Sequence, residues 1–310
     1  MPAPDNAIPE HGLLALFGPT GVGKTAVALA LARRLRAAGR EPVAVSADAL
    51  QVYRGLQTLT GAAIAAEREV LEHRLVGIVP VTETFSAGRF AQLAHAEIDA
   101  LLARGATPIV VGGTGLYLRA ALTKLELRPV VPDELRLRWA ARLTADGAPA
   151  LHAELAARAP WAASAIDPND AHRITRALAL NDLGALTPRA GPNALWTDQT
   201  RVPTRLVGLL RGRDDLAARI DARVLAMVAA GAADEVRAAD AAGASATARK
   251  ALGFDHLLRG DVEGMQRDTR RYAKRQLTWM RKLAGVEVID VTGRDADTVA
   301  ASILAGGPAA

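Results

Sequence analysis

Gly18-Pro19-Thr20-Gly21-Val22-Gly23-Lys24-Thr25 follows directly on the apolar run Leu13-Leu14-Ala15-Leu16-Phe17. Glycines at this spacing let the backbone fold into a nest whose N–H groups face phosphate oxygens, and a helix starting behind it adds the positive end of its dipole. Lys24 is placed to reach over the phosphates, and the Thr25 hydroxyl suits Mg²⁺. A chance glycine-rich turn fits the context poorly, because a strand comes first and a helix with Val27, Leu31 and Leu35 on one face follows, closing at Gly39. The pattern predicts a grip on a di- or triphosphate and leaves open which compound carries it.

Three further groups of residues invite chemistry. The strand ending Ser46-Ala47-Asp48 puts an acid at a carboxyl edge, where open α/β sheets place ligands. Asp48 there either holds Mg²⁺, directly or through water, or serves as a general base for a nucleophile beside the phosphates. Ile109-Val110-Val111 runs into Gly112-Gly113-Thr114-Gly115 where many nucleotide hydrolases carry an acid; the glycines permit close backbone approach and Thr114 offers a hydroxyl to a phosphate or an amine. Arg219 and Arg223 stand one helical turn apart, either as a clamp for a diphosphate or as an exposed pair. Near the end, Val262, Met265, Thr269, Tyr272, Gln276, Met280 and Leu283 recur at steps of three and four as one buried helix face. Its other faces carry Arg267, Arg270, Arg271, Lys274, Arg275, Arg281 and Lys282, which against Glu263 and Asp268 leave a local +5, equal to the formal charge of the whole chain. Such a face suits an RNA backbone or a diphosphate, or is simply solvated.

The elements that position these groups alternate. Strands are expected at Leu13 to Phe17, Pro42 to Ala47 and Pro108 to Gly112, with helices near Lys24 to Ala38 and Gly88 to Arg104, the order of a parallel sheet wrapped by helices. From about Thr123 to Thr200 strands vanish and alanine, leucine and arginine dominate, as in Arg136-Leu137-Arg138-Trp139-Ala140-Ala141-Arg142-Leu143, which reads as a helical insertion. A strand at Arg205 to Leu210 returns to the sheet, and a last one is expected at Val286 to Asp290. The domains are therefore set at 1–122, 123–200 and 201–310. With 310 residues, 50% hydrophobic and 23% charged, the chain reads as an ordinary globular protein with a sizeable core. Having no cysteine, it can form no disulfide, thiolate zinc site or cysteine nucleophile. Met1 to Gly12 lacks the basic and apolar segments of a signal peptide and no run is long enough to span a bilayer, so a cytoplasmic location with no membrane partner is expected.

Taken in order, the motifs resemble bacterial tRNA dimethylallyltransferases, the IPP transferase family. The resemblance covers nearly the whole chain and rests on six segments. They are the loop Gly18 to Thr25; Ser46-Ala47-Asp48 leading to Gln51-Val52-Tyr53-Arg54-Gly55; Val110-Val111-Gly112-Gly113-Thr114-Gly115-Leu116-Tyr117; Asn169-Asp170-Ala171-His172-Arg173-Ile174-Thr175-Arg176-Ala177-Leu178; Ala251-Leu252-Gly253-Phe254; and Tyr272-Ala273-Lys274-Arg275-Gln276-Leu277-Thr278-Trp279. The loop alone is unspecific; all six in this order are highly specific.

The resemblance implies an α/β fold, a P-loop NTPase-like parallel sheet flanked by helices, with an inserted all-helical domain that grips a tRNA anticodon stem-loop. It implies transfer of the dimethylallyl group of dimethylallyl diphosphate to N6 of adenosine 37 in tRNAs reading codons that begin with U, with Mg²⁺ as cofactor and a monomer as the working unit. By the same resemblance Asp48 is the general base, Thr114 stands near the reacting centre, and Lys24 with the loop holds the diphosphate. Asp48, Ala49, Leu50 and Gln51, together with Thr114, His172, Arg173, Ile174, Thr175 and Arg176, fall on segments that touch tRNA. Arg136, Lys250, Lys274 and Arg275 join them. Two departures stand out: Ala49 replaces the usual serine after the acid, and the familiar Gly-Thr-Ala-Lys-Pro is here Leu59-Thr60-Gly61-Ala62-Ala63, without lysine or proline. Three other readings compete: prenylation of free adenine nucleotides, which has little use for an arginine-bearing insertion; a nucleoside or small-molecule kinase, weakened by Gly112-Gly113-Thr114; and a non-enzymatic RNA-binding P-loop protein, which needs no chemistry from Asp48.

Overall fold

Phe17, Ser46, Gly112 and Leu210 end four neighbouring strands at the same edge of a parallel sheet. A computed structural model of the protein describes residues 8–9, 12–125, 128–188 and 195–306. Its strands are β1 (Leu13–Phe17), β2 (Pro42–Ser46), β3 (Tyr53–Arg54), β4 (His73–Arg74), β5 (Val79–Pro80), β6 (Thr107–Gly112), β7 (Thr204–Leu210) and β8 (Val286–Asp290). The helices are α1 (Lys24–Ala37), α2 (Gln57–Thr60), α3 (Ala65–Val70), α4 (Ala87–Ala103), α5 (Gly115–Leu122), α6 (Asp133–Asp146), α7 (Ala148–Arg158), α8 (Pro160–Ala163), α9 (Ala171–Asp182), α10 (Arg213–Ala229), α11 (Ala232–Ala241), α12 (Phe254–Leu258), α13 (Val262–Met280) and α14 (Ala296–Leu304).

The main sheet runs β4-β2-β6-β1-β7-β8, every pair parallel, and β3 with β5 forms a small second sheet. Side chains of a strand alternate between faces, and both faces here are apolar, as a sheet covered by helices on both sides requires. Leu13, Ala15 and Phe17 of β1 join one core with Val43, Val45 and Val110, while Leu14 and Leu16 join the other with Ala44, Ile109, Val207 and Leu209. The first core is closed by residues such as Phe90, Leu118, Val236 and Phe254, the second by Leu31, Ile220, Val299 and Ile303. Strands at His73–Arg74, Tyr53–Arg54 and Val79–Pro80 escape the sequence reading because two residues carry no period.

The chain divides into two compact units, Met1–Leu125 with Ala194–Ala310, and Glu126–Asn193. The helical unit is shorter than the 123–200 drawn from composition. Thr123 bonds through its N–H and hydroxyl to the Arg119 carbonyl, and the Arg201 N–H donates to the Leu122 carbonyl at 2.7 Å, so both ends of that stretch are tied to the α/β unit. Within the helical unit, Trp139, Leu151, Leu155, Ile174 and Leu178 make a core of their own. The Trp139 indole N–H donates to Asp182 at 2.9 Å, and Arg138, Arg142 and Arg158 gather round its ring, each paired with Asp182, Glu154 or Asp146. Among the described residues no helix is long and apolar enough to cross a membrane.

Candidate active site

Sheet order builds the site. Because β6 lies between β1 and β2, the turn Gly112–Thr114 emerges between the P-loop that follows β1 and the acid that follows β2. The P-loop closes on α1 through Gly23, which caps the helix in the left-handed region, and the first N–H groups of α1 have no helical carbonyl to meet. Lys24 folds back over the loop, its Nζ donating to the carbonyls of Gly18 at 2.8 Å and Pro19 at 2.9 Å. Burial pushes the Lys24 ammonium down to about 8, against the pull of Asp48 and with the push of Arg223.

These groups share one cleft of about 510 Å³ with Thr20, Thr25, Asp48, Arg219 and Arg223 on its walls. Asp48 accepts the Leu50 N–H at Oδ1, 2.9 Å, and Oδ2 has no partner among the described residues. Arg219 donates Nε to the Gly21 carbonyl at 3.0 Å, which ties α10 to the loop. Arg223 is no exposed pair-mate of it: the residue is half-buried, donates from Nη2 to the Gly61 carbonyl at 3.3 Å, and has its Nε buried with no partner among the described residues. Desolvation lowers its pKa and Asp48 counteracts this. Leu50, Leu59, Met227, Leu252 and Met265 give the cleft an apolar wall as well.

Gln276 of α13 joins the two loops. Its Oε1 accepts the Thr20 N–H at 2.9 Å and its Nε2 donates to the Gly113 carbonyl at 2.8 Å. Glycine at 113 is required for this approach, since a Cβ there would lie 2.3 Å from that amide nitrogen. One turn earlier on the same helix, the Tyr272 hydroxyl meets Thr114 Oγ1 at 3.2 Å. Burial first and Asp48 second push the Tyr272 phenol up to about 12, so it stays a neutral hydrogen-bonding group. Thr114 is thereby fixed beside the cleft without lining it.

A family model described as IPP transferase matches residues 51–283. The chain belongs to the IPP transferase family. Among its relatives, the tRNA dimethylallyltransferase of Kineococcus radiotolerans is 42% identical over 88% of this chain and 89% of the relative. That of Anaeromyxobacter dehalogenans (strain 2CP-C) is 44% identical over 88% and 93%. The crystal structure of the full-length tRNA isopentenylpyrophosphate transferase of Bacillus halodurans superposes with a TM-score of 0.68 at 33% identity, covering 94% of both chains. A eukaryotic dimethylallyltransferase crystallised acting on tRNA shares the fold, with a TM-score of 0.69 at 24% identity over 90% of this chain and 74% of that one.

The remaining candidates scatter. Gln51 turns its amide inward, accepting the Ser46 hydroxyl at 2.9 Å and facing the carbonyls of Thr60 and Gly61. In the helical unit, His172, Arg173 and Arg176 are exposed on α9, Arg136 pairs with Asp133 and Arg173 with Asp170. Ile174 needs correction: it is fully buried in that unit's core, where an apolar side chain seats α9 and offers no surface to RNA. Lys250, Lys274 and Arg275 are exposed on the α/β unit. Arg211, absent from the sequence reading, follows β7 at the same sheet edge, donates to the Val22 carbonyl at 3.3 Å and pairs with Asp215 at 2.5 Å, bracing the P-loop from below. Its signal was positional, a cation directly after a strand neighbouring β1. Gln276 had a signal too, an amide at a position whose period marks a buried helix face.

Proposed function

We propose that the chain transfers the dimethylallyl group of dimethylallyl diphosphate to N6 of adenosine 37 in tRNAs reading codons that begin with U. The observation that carries this is Asp48, whose free carboxylate oxygen shares a cleft with the P-loop, Lys24 and the unsatisfied Arg223. The N6 lone pair attacks the allylic carbon, the carbon–oxygen bond breaks, and diphosphate leaves with the bonding electrons. Lys24, Arg219, Arg223 and the loop N–H groups stabilise the charge that develops on it. Asp48 takes the N6 proton; a carboxylate is needed because that amine's lone pair is delocalised into the purine. Thr114, held by Tyr272, orients the amine or a diphosphate oxygen, and the apolar wall receives the prenyl chain. A base stacked in an anticodon loop reaches such a cleft only by flipping out. The names of relatives, tRNA dimethylallyltransferase and tRNA isopentenylpyrophosphate transferase, support prenyl transfer to tRNA.

Mg²⁺ fits the donors present. Thr25, a hydroxyl residue, lines the cleft, and among the described residues no group of three or more His, Asp or Glu side chains forms a cage. A cation that keeps its waters and takes its other oxygens from a bound diphosphate is served by such a site. When bound, it adds charge stabilisation to the leaving group. The helical unit, with Arg173 and Arg176 exposed on α9, would hold the anticodon stem-loop, and the protein would act as a cytoplasmic monomer.

The test is incubation with dimethylallyl diphosphate, Mg²⁺ and unmodified tRNA, read by mass spectrometry for N6-dimethylallyladenosine. Asp48→Asn should keep tRNA affinity and lose turnover by ~100-fold or more. Full turnover in that variant removes the base assignment, and prenylation of free adenine nucleotides in preference to tRNA removes the substrate.

A further inference from the structure

The short helix α2 has no cap of its own. Its N-cap position is Leu56, which has no side-chain acceptor, and no acid stands in its first turn. Thr58 and Leu59 donate their N–H groups instead to the two carboxylate oxygens of Glu235, each at 2.9 Å. Glu235 lies in the first turn of α11, half-buried, with no cation paired to it among the described residues. The other end of α2 is held from the preceding helix, where Arg223 of α10 donates from Nη2 to the Gly61 carbonyl at 3.3 Å. Consecutive helices thus set an anion on the free N–H groups and a cation on the terminal carbonyl of a single turn about 6 Å long.

We propose that Glu235 is a positioning residue for the diphosphate clamp: it fixes α2, and α2 in turn holds the Arg223 guanidinium at the cleft; the assignment rests on the diphosphate reading given above. Glu235 is not among the residues that line the cleft, whereas Leu59, Thr60, Gly61 and Arg223 are, so its influence on a ligand passes through the turn it grips. Three observations support the coupling. First, a carboxylate across two backbone N–H groups makes charge-assisted bonds, and because its own backbone belongs to α11 it fixes the place of the turn as well as its shape. Second, Arg223 lies flush on the end of that turn, since a Cβ at Gly61 would stand 1.7 Å from its Nη2. Its 3.3 Å bond to the Gly61 carbonyl is already beyond the usual N–H···O range, so a small displacement of α2 breaks it. Third, the Gln51 amide faces the same carbonyl at 3.3 Å while accepting the Ser46 hydroxyl at the end of β2, so the position of α2 is read by both sides of the cleft. A cap of purely local purpose needs only a short polar side chain at position 56; this one arrives from the helix next to that of Arg223.

The experiment is a double-mutant cycle of Glu235→Ala and Arg223→Met, read by calorimetric titration with inorganic diphosphate and by the KM values for dimethylallyl diphosphate and tRNA. Glu235→Ala should weaken diphosphate and raise the KM for dimethylallyl diphosphate roughly tenfold, within the range over which residues of one network couple, and leave the KM for tRNA unchanged. In the Arg223→Met background the same substitution should cost less than about twofold, because its route to the ligand is gone. Glu235→Gln keeps one acceptor oxygen and should fall between, which carries the test if the alanine variant does not fold. Asp234→Asn, which removes the exposed neighbouring charge paired with Arg237, should bind diphosphate as wild type does. A loss of the same size in both backgrounds overturns the coupling. So does wild-type diphosphate affinity in every folded Glu235 variant, whatever happens to the urea midpoint, since that is the mark of an ordinary cap. In either case the functional reading stands, whereas a wild-type protein that neither binds diphosphate nor prenylates tRNA removes both.

Discussion

Gln276→Leu tests whether one buried amide holds the two loops of the site together. The side chain is 4% exposed, and its two hydrogen bonds, 2.9 Å to Thr20 N and 2.8 Å to Gly113 O, are its links to the loops after β1 and β6. Leucine keeps the volume and removes both. An unpaired buried polar group costs about 1–3 kcal/mol, and the two sites differ: Thr20 borders the cleft, where water can replace the amide, while Gly113 O faces the substituted side chain. The expected loss is therefore about 2–3 kcal/mol, read as a lower urea midpoint at unchanged slope. Freed from Gln276, the Thr20 peptide can rotate, and calorimetric titration with inorganic diphosphate should show roughly tenfold weaker binding, the equivalent of about 1.4 kcal/mol. Gln276→Glu separates the strut from its charge. It keeps one acceptor for Thr20 but sets a carboxylate oxygen against the Gly113 carbonyl and a negative charge beside the phosphate nest, so diphosphate should weaken further than in the leucine variant. Wild-type stability and diphosphate affinity in both variants would refute the role.

Lys24, at about 8 in the free protein against 10.5 for an ordinary lysine, is protonated below that value in both states. Between the two values the unfolded chain binds more protons, so stability of the ligand-free protein should rise with pH in that window. Diphosphate favours the charged form; its binding above pH 8 should take up a proton and weaken by up to tenfold per unit, and calorimetry in two buffers of different ionisation heat that shows no uptake would dismiss Lys24 as the partner. At Gly61, φ is +58 and a Cβ would lie 1.7 Å from Arg223 Nη2 and 2.8 Å from Met227 Cε. Gly61→Ala should therefore cost about 1 kcal/mol for the left-handed backbone and push the guanidinium aside. An unaltered diphosphate affinity would show that Arg223 is not in the clamp.

What sequence revealed of this site follows from how local each requirement is. The pattern of a phosphate nest needs consecutive residues with a strand before and a helix behind, so the strand and helix around Gly18 to Thr25 were legible from that segment alone. Asp48 and Thr114 were each legible as residues at strand ends, but that those ends are neighbours depends on β6 lying between β1 and β2, which no spacing within either segment states. Arg223 shows the same limit from the other side: paired with Arg219 by period alone it reads equally as surface, and only its burial beneath Gly61 separates the two roles. In the helical unit composition alone does not sort the arginines: Arg138, Arg142 and Arg158 are balanced by carboxylates around Trp139, while Arg173 and Arg176 stay exposed on α9. Charge available to a phosphate is what remains after internal pairing. By that measure Arg176 of α9, exposed and without an ion pair among the described residues, differs from Arg138, Arg142 and Arg158 in the same unit, a distinction that composition cannot make.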